Sequence, residues 1–316
     1  MRKASHRRFW ILLCILMILG GLGFLLYPPA SDLWNRYRNS KLVDVYSKVV
    51  HDLPPDKTEA IWTKAREYNE KHTTKTIVDA FKEEEEYVLT APYDQLLNPS
   101  GDNIMGTIEI PKIQVKLPIF HGVGEESLQR GAGHLEGTSL PIGGKSTHSV
   151  LSAHRGLPSA ILFTDLDQMA KGDLFYLHIM EEVFAYRVVD IETVLPHQSE
   201  LLAIQPDRDL CTLLTCTPYG VNSHRLLVTG ERTTYIPDEA TPVVEKDVAV
   251  LDTVIANWKI TLAGVIVLLF FLFGLLLRNR RKKQKERKEQ NVRNEKNEPK
   301  EQQEQNARQV AERNKE

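Results

Sequence analysis

Apolar residues run without a charge from Phe9 to Tyr27, 19 residues, and again from Ile260 to Leu277, 18 residues interrupted only by Thr261. Each run has the ~17–25 residues a helix needs to cross a hydrocarbon core of about 30 Å, so the pattern predicts two membrane spans. Between them the periodicity changes twice. After Pro28-Pro29, the stretch Ser31 to Leu53 places Leu33, Tyr37, Val45, Val49 and Val50 near helical spacing, with Ser31 or Asp32 as cap and Pro54-Pro55 as breaker. Asp56 to His72 predicts a second helix with Ile61, Ala65 and Tyr68 on one side. Thr76 to Glu86 is a third, weaker one, whose four glutamates (83–86) read as a solvated face. From Ile104 onward short β-rich runs take over, at 104–110, 113–120, 149–153, 174–179, 183–191, 210–216 and 224–230. Gly, Pro and Asn separate them, as in a barrel or sandwich. Pro158 to Lys171 is the helix expected among them, with Ile161, Leu162, Leu166 and Met169 as its apolar side.

Charge gives this layout a direction. The 40 basic and 42 acidic residues nearly balance over the whole chain, yet residues 1–8 carry a net +4, residues 278–316 a net +6 and the middle a net −12. An acidic middle argues against a nucleic-acid-binding domain, and no nucleic-acid partner is expected. Both basic clusters border an apolar run. The positive-inside rule therefore puts both termini in the cytoplasm and the segment between the spans outside the cell. The first run exceeds the 7–15 residues of a signal-peptide core, and no small-x-small cleavage site follows Leu25-Leu26-Tyr27-Pro28, so it is expected to stay as an anchor. The resulting divisions are a basic terminus (1–8), a span (9–27), a helical region (28–92), a β domain (93–240), a linker (241–257), a second span (258–277) and a charged tail (278–316). The tail has too few apolar residues to build a core.

Three cysteines, Cys14, Cys211 and Cys216, are too few for a disulfide framework or a cysteine-rich zinc site. Cys211 and Cys216 share one predicted strand. Five residues along a strand span about 16 Å, so the two cannot bridge each other, and period two sends them to opposite faces. Cys211 reads as a small buried hydrophobe. Cys216 stands where the strand opens into Thr217-Pro218-Tyr219-Gly220, and its sulfur is the candidate nucleophile. A thiol nucleophile needs a base or cation that favours thiolate and a group that stabilises an oxyanion. His154 stands at the end of an apolar run, His148 lies six residues earlier, and His134 sits in a Gly-rich loop expected to shape the groove or a turn. Arg225 lies nine residues past Cys216, across a turn with Gly220 and Asn222, at a spacing that suits a hairpin return beside the cysteine.

Thr212-Leu213-Leu214-Thr215-Cys216 matches the TLxTC signature of the sortases, Arg225 falls where that family has its arginine, and His154 lies in a segment like the family's catalytic-histidine segment. The runs at 105–112, 131–141 and 162–166 resemble the pilus-assembling class C sortases in particular. The resemblance covers about Tyr93 to Glu231. It implies a mainly β fold, a closed eight-stranded barrel with short helices, preceded here by N-terminal helices and flanked by two transmembrane helices. It further implies Cys216 as nucleophile, His154 as proton-transfer partner and Arg225 as oxyanion or substrate stabiliser, with no metal or other cofactor. Implied partners are pilin subunits bearing LPxTG-like sorting signals, joined through a thioester on Cys216 to a lysine of another pilin. A housekeeping-type sortase anchoring surface proteins to the cell wall and a hydrolytic cysteine protease are the alternatives, and a non-enzymatic surface scaffold is a third. His134 and His148 are left outside the site. Class C sortases commonly carry a lid with an Asp-Pro-aromatic motif. Thr90-Ala91-Pro92-Tyr93-Asp94 has Ala91 in place of the acid, so an open active site is expected.

Overall fold

The computed structural model describes residues 2–71, 79–81, 92–237, 243 and 246–256, with residues 278 and 289. The second predicted span and nearly all of the charged tail lie outside these residues, as does most of the weak helix predicted over Thr76 to Glu86.

The first helix, α1, runs unbroken from Arg2 to His51 and contains Pro28 and Pro29. The span at 9–27 and the helix expected over Ser31 to Leu53 are thus one continuous helix. The two missing amides cost it hydrogen bonds, but the downstream half is held by contacts made elsewhere. Tyr46 donates its hydroxyl to the Met105 carbonyl at 2.7 Å and accepts from the Met180 amide at 2.9 Å. Asn39 donates to the Arg130 carbonyl, Asn35 to the Ser159 carbonyl, and Asp32 accepts from the Ile161 amide. These residues fall on one face at helical spacing, so docking rather than propensity keeps the helix going. Upstream, α1 holds the one stretch among the described residues long and apolar enough to cross a membrane, and almost none of it is covered by protein.

Helix α2 (Pro55–Lys71) buries Trp62 and Ala65, with Ile61 and Tyr68 packed beside them. Eight strands follow: β1 (Ile104–Ile110), β2 (Val115–His121), β3 (Ala132–His134), β4 (Thr147–Ser152), β5 (Leu174–Ile179), β6 (Glu182–Val194), β7 (Asp209–Thr217) and β8 (His224–Thr233). They close into a barrel in the order β1-β2-β3-β4-β7-β8-β6-β5, with β5 returning to β1. Pairing is antiparallel except for β2/β3 and β4/β7. A four-residue helix, α3 (Glu125–Leu128), links β2 to β3, and α4 (Lys246–Ala256) follows β8.

The helix expected over Pro158 to Lys171 is absent. Only Leu166–Gln168 coils, as a single 3-10 turn, and Leu162 takes a left-handed φ of 47°. The amides of this stretch are used elsewhere: Ile161 donates to Asp32 and Phe163 to the His154 carbonyl. Leu162, Leu166 and Met169 are buried as the spacing implied, but Ile161 is exposed. In the Gly-rich stretch read as a loop, Ala132–His134 forms the short strand β3.

Two apolar clusters divide the strand faces. Cys211 and Leu213 point into the barrel with Ile104, Phe175 and Tyr186. Leu214 points outward and joins Val150, Leu227, Leu135, Leu202 and Ala80 on the floor of an external groove. The candidate chemistry lies along that groove.

Candidate active site

Cys216 is the penultimate residue of β7, and antiparallel pairing with β8 sets it opposite Arg225. The hairpin return inferred from a nine-residue spacing is therefore present. His154 arrives by a different route. Strand β4 runs parallel to β7 with Ser152 opposite Leu214. Beyond the strand end, Ala153 donates its amide to the Leu214 carbonyl at 3.2 Å and accepts the Thr215 hydroxyl at 2.7 Å. Carried on by two residues, that register brings His154 level with Cys216. The three predicted residues come from three neighbouring strands, β4, β7 and β8, and meet at one end of the barrel.

The other two candidate histidines, His134 and His148, are placed apart, each with both ring nitrogens occupied. His134 is buried, with Nδ1 2.8 Å from the Tyr93 hydroxyl and Nε2 2.9 Å from the Ser139 carbonyl. His148 meets the Thr212 hydroxyl at 2.7 Å and the Ala203 carbonyl at 3.0 Å, tying β4 to the loop before β7. Burial pushes its pKa down.

The expectation of an open site is overturned. Asp79, Ala80 and Phe81 lie over all three residues. Asp79 receives a two-pronged hydrogen bond from Arg225, Nε to Oδ1 at 2.8 Å and Nη2 to Oδ2 at 2.6 Å. Ala80 is buried on the groove floor. Phe81 sets its ring 5.5 Å from the His154 ring, and the Arg225 guanidinium lies 5.2 Å from the Phe81 centroid. Residues 79–81 are a turn, not part of the helix expected there. The triplet has the acid and the aromatic of a lid motif with alanine where proline was sought. Its readable signal is an acid two positions before an aromatic, upstream of the Thr90–Asp94 segment. Tyr93, the other aromatic considered, packs instead against His121 and His134.

This lid changes the electrostatics. Burial raises the Cys216 thiol pKa above its ordinary value, the Arg225 charge opposes that rise, and the Asp79 carboxylate adds to it. In the covered state the thiol form is favoured. Cys211, enclosed in the barrel, is raised well above the ordinary value by burial. Arg225 uses its remaining Nη1 on the Asn222 and His224 carbonyls, both at 3.1 Å, which fixes the guanidinium at the strand start.

Two further residues touch the site without having been singled out in the sequence. Arg155 donates from Nη1 to the Thr217 hydroxyl at 3.1 Å and from Nη2 to Asp167, bracing the strand end that carries Cys216. Glu125, the first residue of α3, brings Oε2 to 3.4 Å from His154 Nε2. Arg155 directly follows His154, but its contacts with Thr217 and Asp167, and the approach of Glu125 to His154, arise only where the segments after β2 and β4, the end of β7 and the loop at 165–167 meet in the closed barrel.

Comparison with known proteins agrees with this architecture. The Sortase domain family matches residues 108–233. Sortase A of Bacillus anthracis is 30% identical over 161 residues, covering 49% of this chain and 75% of that protein. Sortase A of Streptococcus agalactiae is 34% identical over 117 residues, but there the chain spans only about half of the relative, 47% of its length. Among solved structures, Sortase C of Streptococcus pneumoniae, described in connection with pilin substrate specificity, is 42% identical. The match covers 62% of this chain and 97% of that one, at a TM-score of 0.57. With a closed barrel, a cysteine and an arginine paired across β7 and β8, and a histidine brought alongside, the chain belongs to the sortase family of cysteine transpeptidases, and its structural likeness is to sortase C.

Proposed function

We propose that this chain is a membrane-anchored class C sortase that joins pilin subunits covalently at the surface of a Gram-positive bacterium. The observation that carries the reading is the meeting of Cys216, His154 and Arg225 at one barrel end beneath residues 79–81. With the lid open, the Cys216 thiolate and the His154 imidazolium form the working pair. The thiolate attacks the Thr–Gly carbonyl of an LPxTG-like signal, and Arg225, freed from Asp79, donates to the oxyanion. His154 gives its proton to the departing glycine amine, leaving a thioester on Cys216 and a neutral imidazole. A lysine amine of a second pilin then attacks the thioester carbonyl, the carbon–sulfur bond breaks, and His154 takes up a proton from the new amide nitrogen.

Incubating the full chain in detergent micelles with a sorting-signal peptide, with and without a pilin subunit, tests this directly. The expected products are a hydroxylamine-sensitive thioester and a peptide–pilin conjugate joined through lysine. Release of hydrolysed peptide alone would point to a protease. Transfer to a cell-wall peptide amine in preference to a pilin would point to a housekeeping sortase.

The anchor is proposed to be the apolar half of α1, with the barrel outside the cell and a second span at 258–277. Reporter fusions are expected to place residue 150 outside and residue 300 inside. A mature chain beginning near residue 30 would instead make the first span a signal peptide.

A further inference from the structure

Glu125 is a carboxylate with an unusual combination of settings. Its side chain is 67% exposed, yet its Oε2 lies 3.4 Å from the Nε2 of a catalytic-site histidine that is itself only 21% exposed. The approach is not accidental swinging of a free side chain, because Gln129 donates from Nε2 to the other oxygen, Oε1, at 2.7 Å and fixes the carboxylate plane. His154 Nε2 is covered and makes no hydrogen bond among the described residues, so the 3.4 Å approach of Glu125 is a close contact without a hydrogen bond. The side of approach matters. In the barrel order β2-β3-β4-β7-β8, Glu125 follows β2 and reaches His154 from the β4 side, whereas Arg225 and Asp79 lie on the β8 side of Cys216. The adjacent cation, Arg155, is already neutralised by Asp167.

A sortase must admit two substrates to one sulfur, and the second arrives as a primary ammonium. We propose that Glu125 is the receiving group for that acceptor: its carboxylate holds the incoming lysine ammonium beside His154, on the flank away from Arg225. This rests on the transpeptidase reading above and adds to it the site of the second substrate. The ammonium loses one proton to solvent to become the attacking amine. Its nitrogen lone pair forms the new bond to the thioester carbonyl, the carbon–sulfur bonding pair leaves with Cys216 as thiolate, and His154 removes the second proton. That restores the thiolate–imidazolium pair, and the proton given to solvent equals the one that the departed glycine amine takes from it. Glu125 acts on capture and not on the chemical step, because a carboxylate beside an ammonium favours its charged form.

The test is aminolysis by the full chain in detergent micelles, with a lysine-containing peptide and with hydroxylamine, which is uncharged at neutral pH, as competing acceptors. Glu125→Gln is expected to raise KM for the lysine peptide about three- to fivefold, the range of a solvent-exposed ion pair, with kcat little changed. Glu125→Lys, which opposes the ammonium, should raise it at least about tenfold. In both variants the loss with the lysine peptide should clearly exceed any change in thioester formation or in hydroxylamine release. Glu126→Gln, on the same short helix but facing Arg130, should match the parent. An unchanged lysine KM overturns the proposal, and so does an equal loss with hydroxylamine, which would make Glu125 a support for His154. Failure of the unaltered chain to form any thioester would strike the transpeptidase reading itself, and the proposal with it.

Discussion

Replacing Cys216 by alanine is expected to reduce thioester formation and conjugate yield to background, while Cys211→Ala leaves both within about twofold. The two residues sit five positions apart on β7 but on opposite faces of it. Cys216 faces the groove, opposite Arg225 and level with His154. Cys211 is enclosed with Leu213 and Tyr186 in the barrel core, where burial, and secondarily the Asp209 carboxylate, hold its thiol protonated. Without the Cys216 sulfur there is no atom to carry the acyl group, and the remaining Arg225 and His154 can at most polarise a bound carbonyl. Cys211→Ala removes one buried sulfur, a packing change that lowers stability modestly and leaves the groove intact. Mass spectrometry of the chain after incubation with a sorting-signal peptide reads both outcomes. A thioester that persists in the Cys216 variant, or equal loss from both substitutions, would remove Cys216 from the role of nucleophile.

Much of this site could be read before the barrel was seen because its parts are strand-borne. Strands β1 and β5 match their predicted limits, and β6, β7 and β8 differ from theirs by at most three residues at an end. Period two along β7 separates Cys211 from Cys216 with no tertiary information. What escaped the sequence was decided by long-range partners. Strand β3 has three residues, too few to show a period, and exists because β2 and β4 hold it on either side. The stretch from Pro158 has helical spacing, but its amides are taken by Asp32 and by the His154 carbonyl. Pro28-Pro29 reads as a stop, yet Tyr46, Asn39 and Asp32 bind the barrel and carry α1 through. Glu125 has no local signal at all. The lid escaped for a different reason: Asp79-Ala80-Phe81 lacks the proline of the Asp-Pro-aromatic motif. In the groove a small apolar residue suffices there, since Ala80 fills the space among Leu135, Leu202, Leu214 and Leu227.

Breaking the lid's ion pair is expected to expose Cys216. In Asp79→Ala, the rate of iodoacetamide addition to Cys216 should rise at least about tenfold, equivalent to ~1.4 kcal/mol in the closed-to-open equilibrium. The magnitude follows from the contact. The Arg225–Asp79 pair is bidentate, and its side chains are only 8% and 16% exposed, so it exceeds the ~0–1 kcal/mol of a surface ion pair. A cover that occupies the groove reduces apparent access by the fraction of molecules that are open, and loss of its main tether raises that fraction directly. The pH dependence gives an independent sign. Burial and the Asp79 carboxylate both raise the thiol pKa, and Arg225 lowers it. Removing Asp79 and uncovering the sulfur therefore act in the same direction, so the midpoint of alkylation against pH should move to lower pH. Phe81→Ala should act the same way but less strongly, because it frees the His154 face and leaves the ion pair in place. Peptide mapping confines the readout to Cys216, and Cys211 should stay unlabelled throughout. An alkylation rate that changes by less than about threefold in Asp79→Ala, with an unmoved pH midpoint, would show that the 79–81 turn rests on the site without closing it.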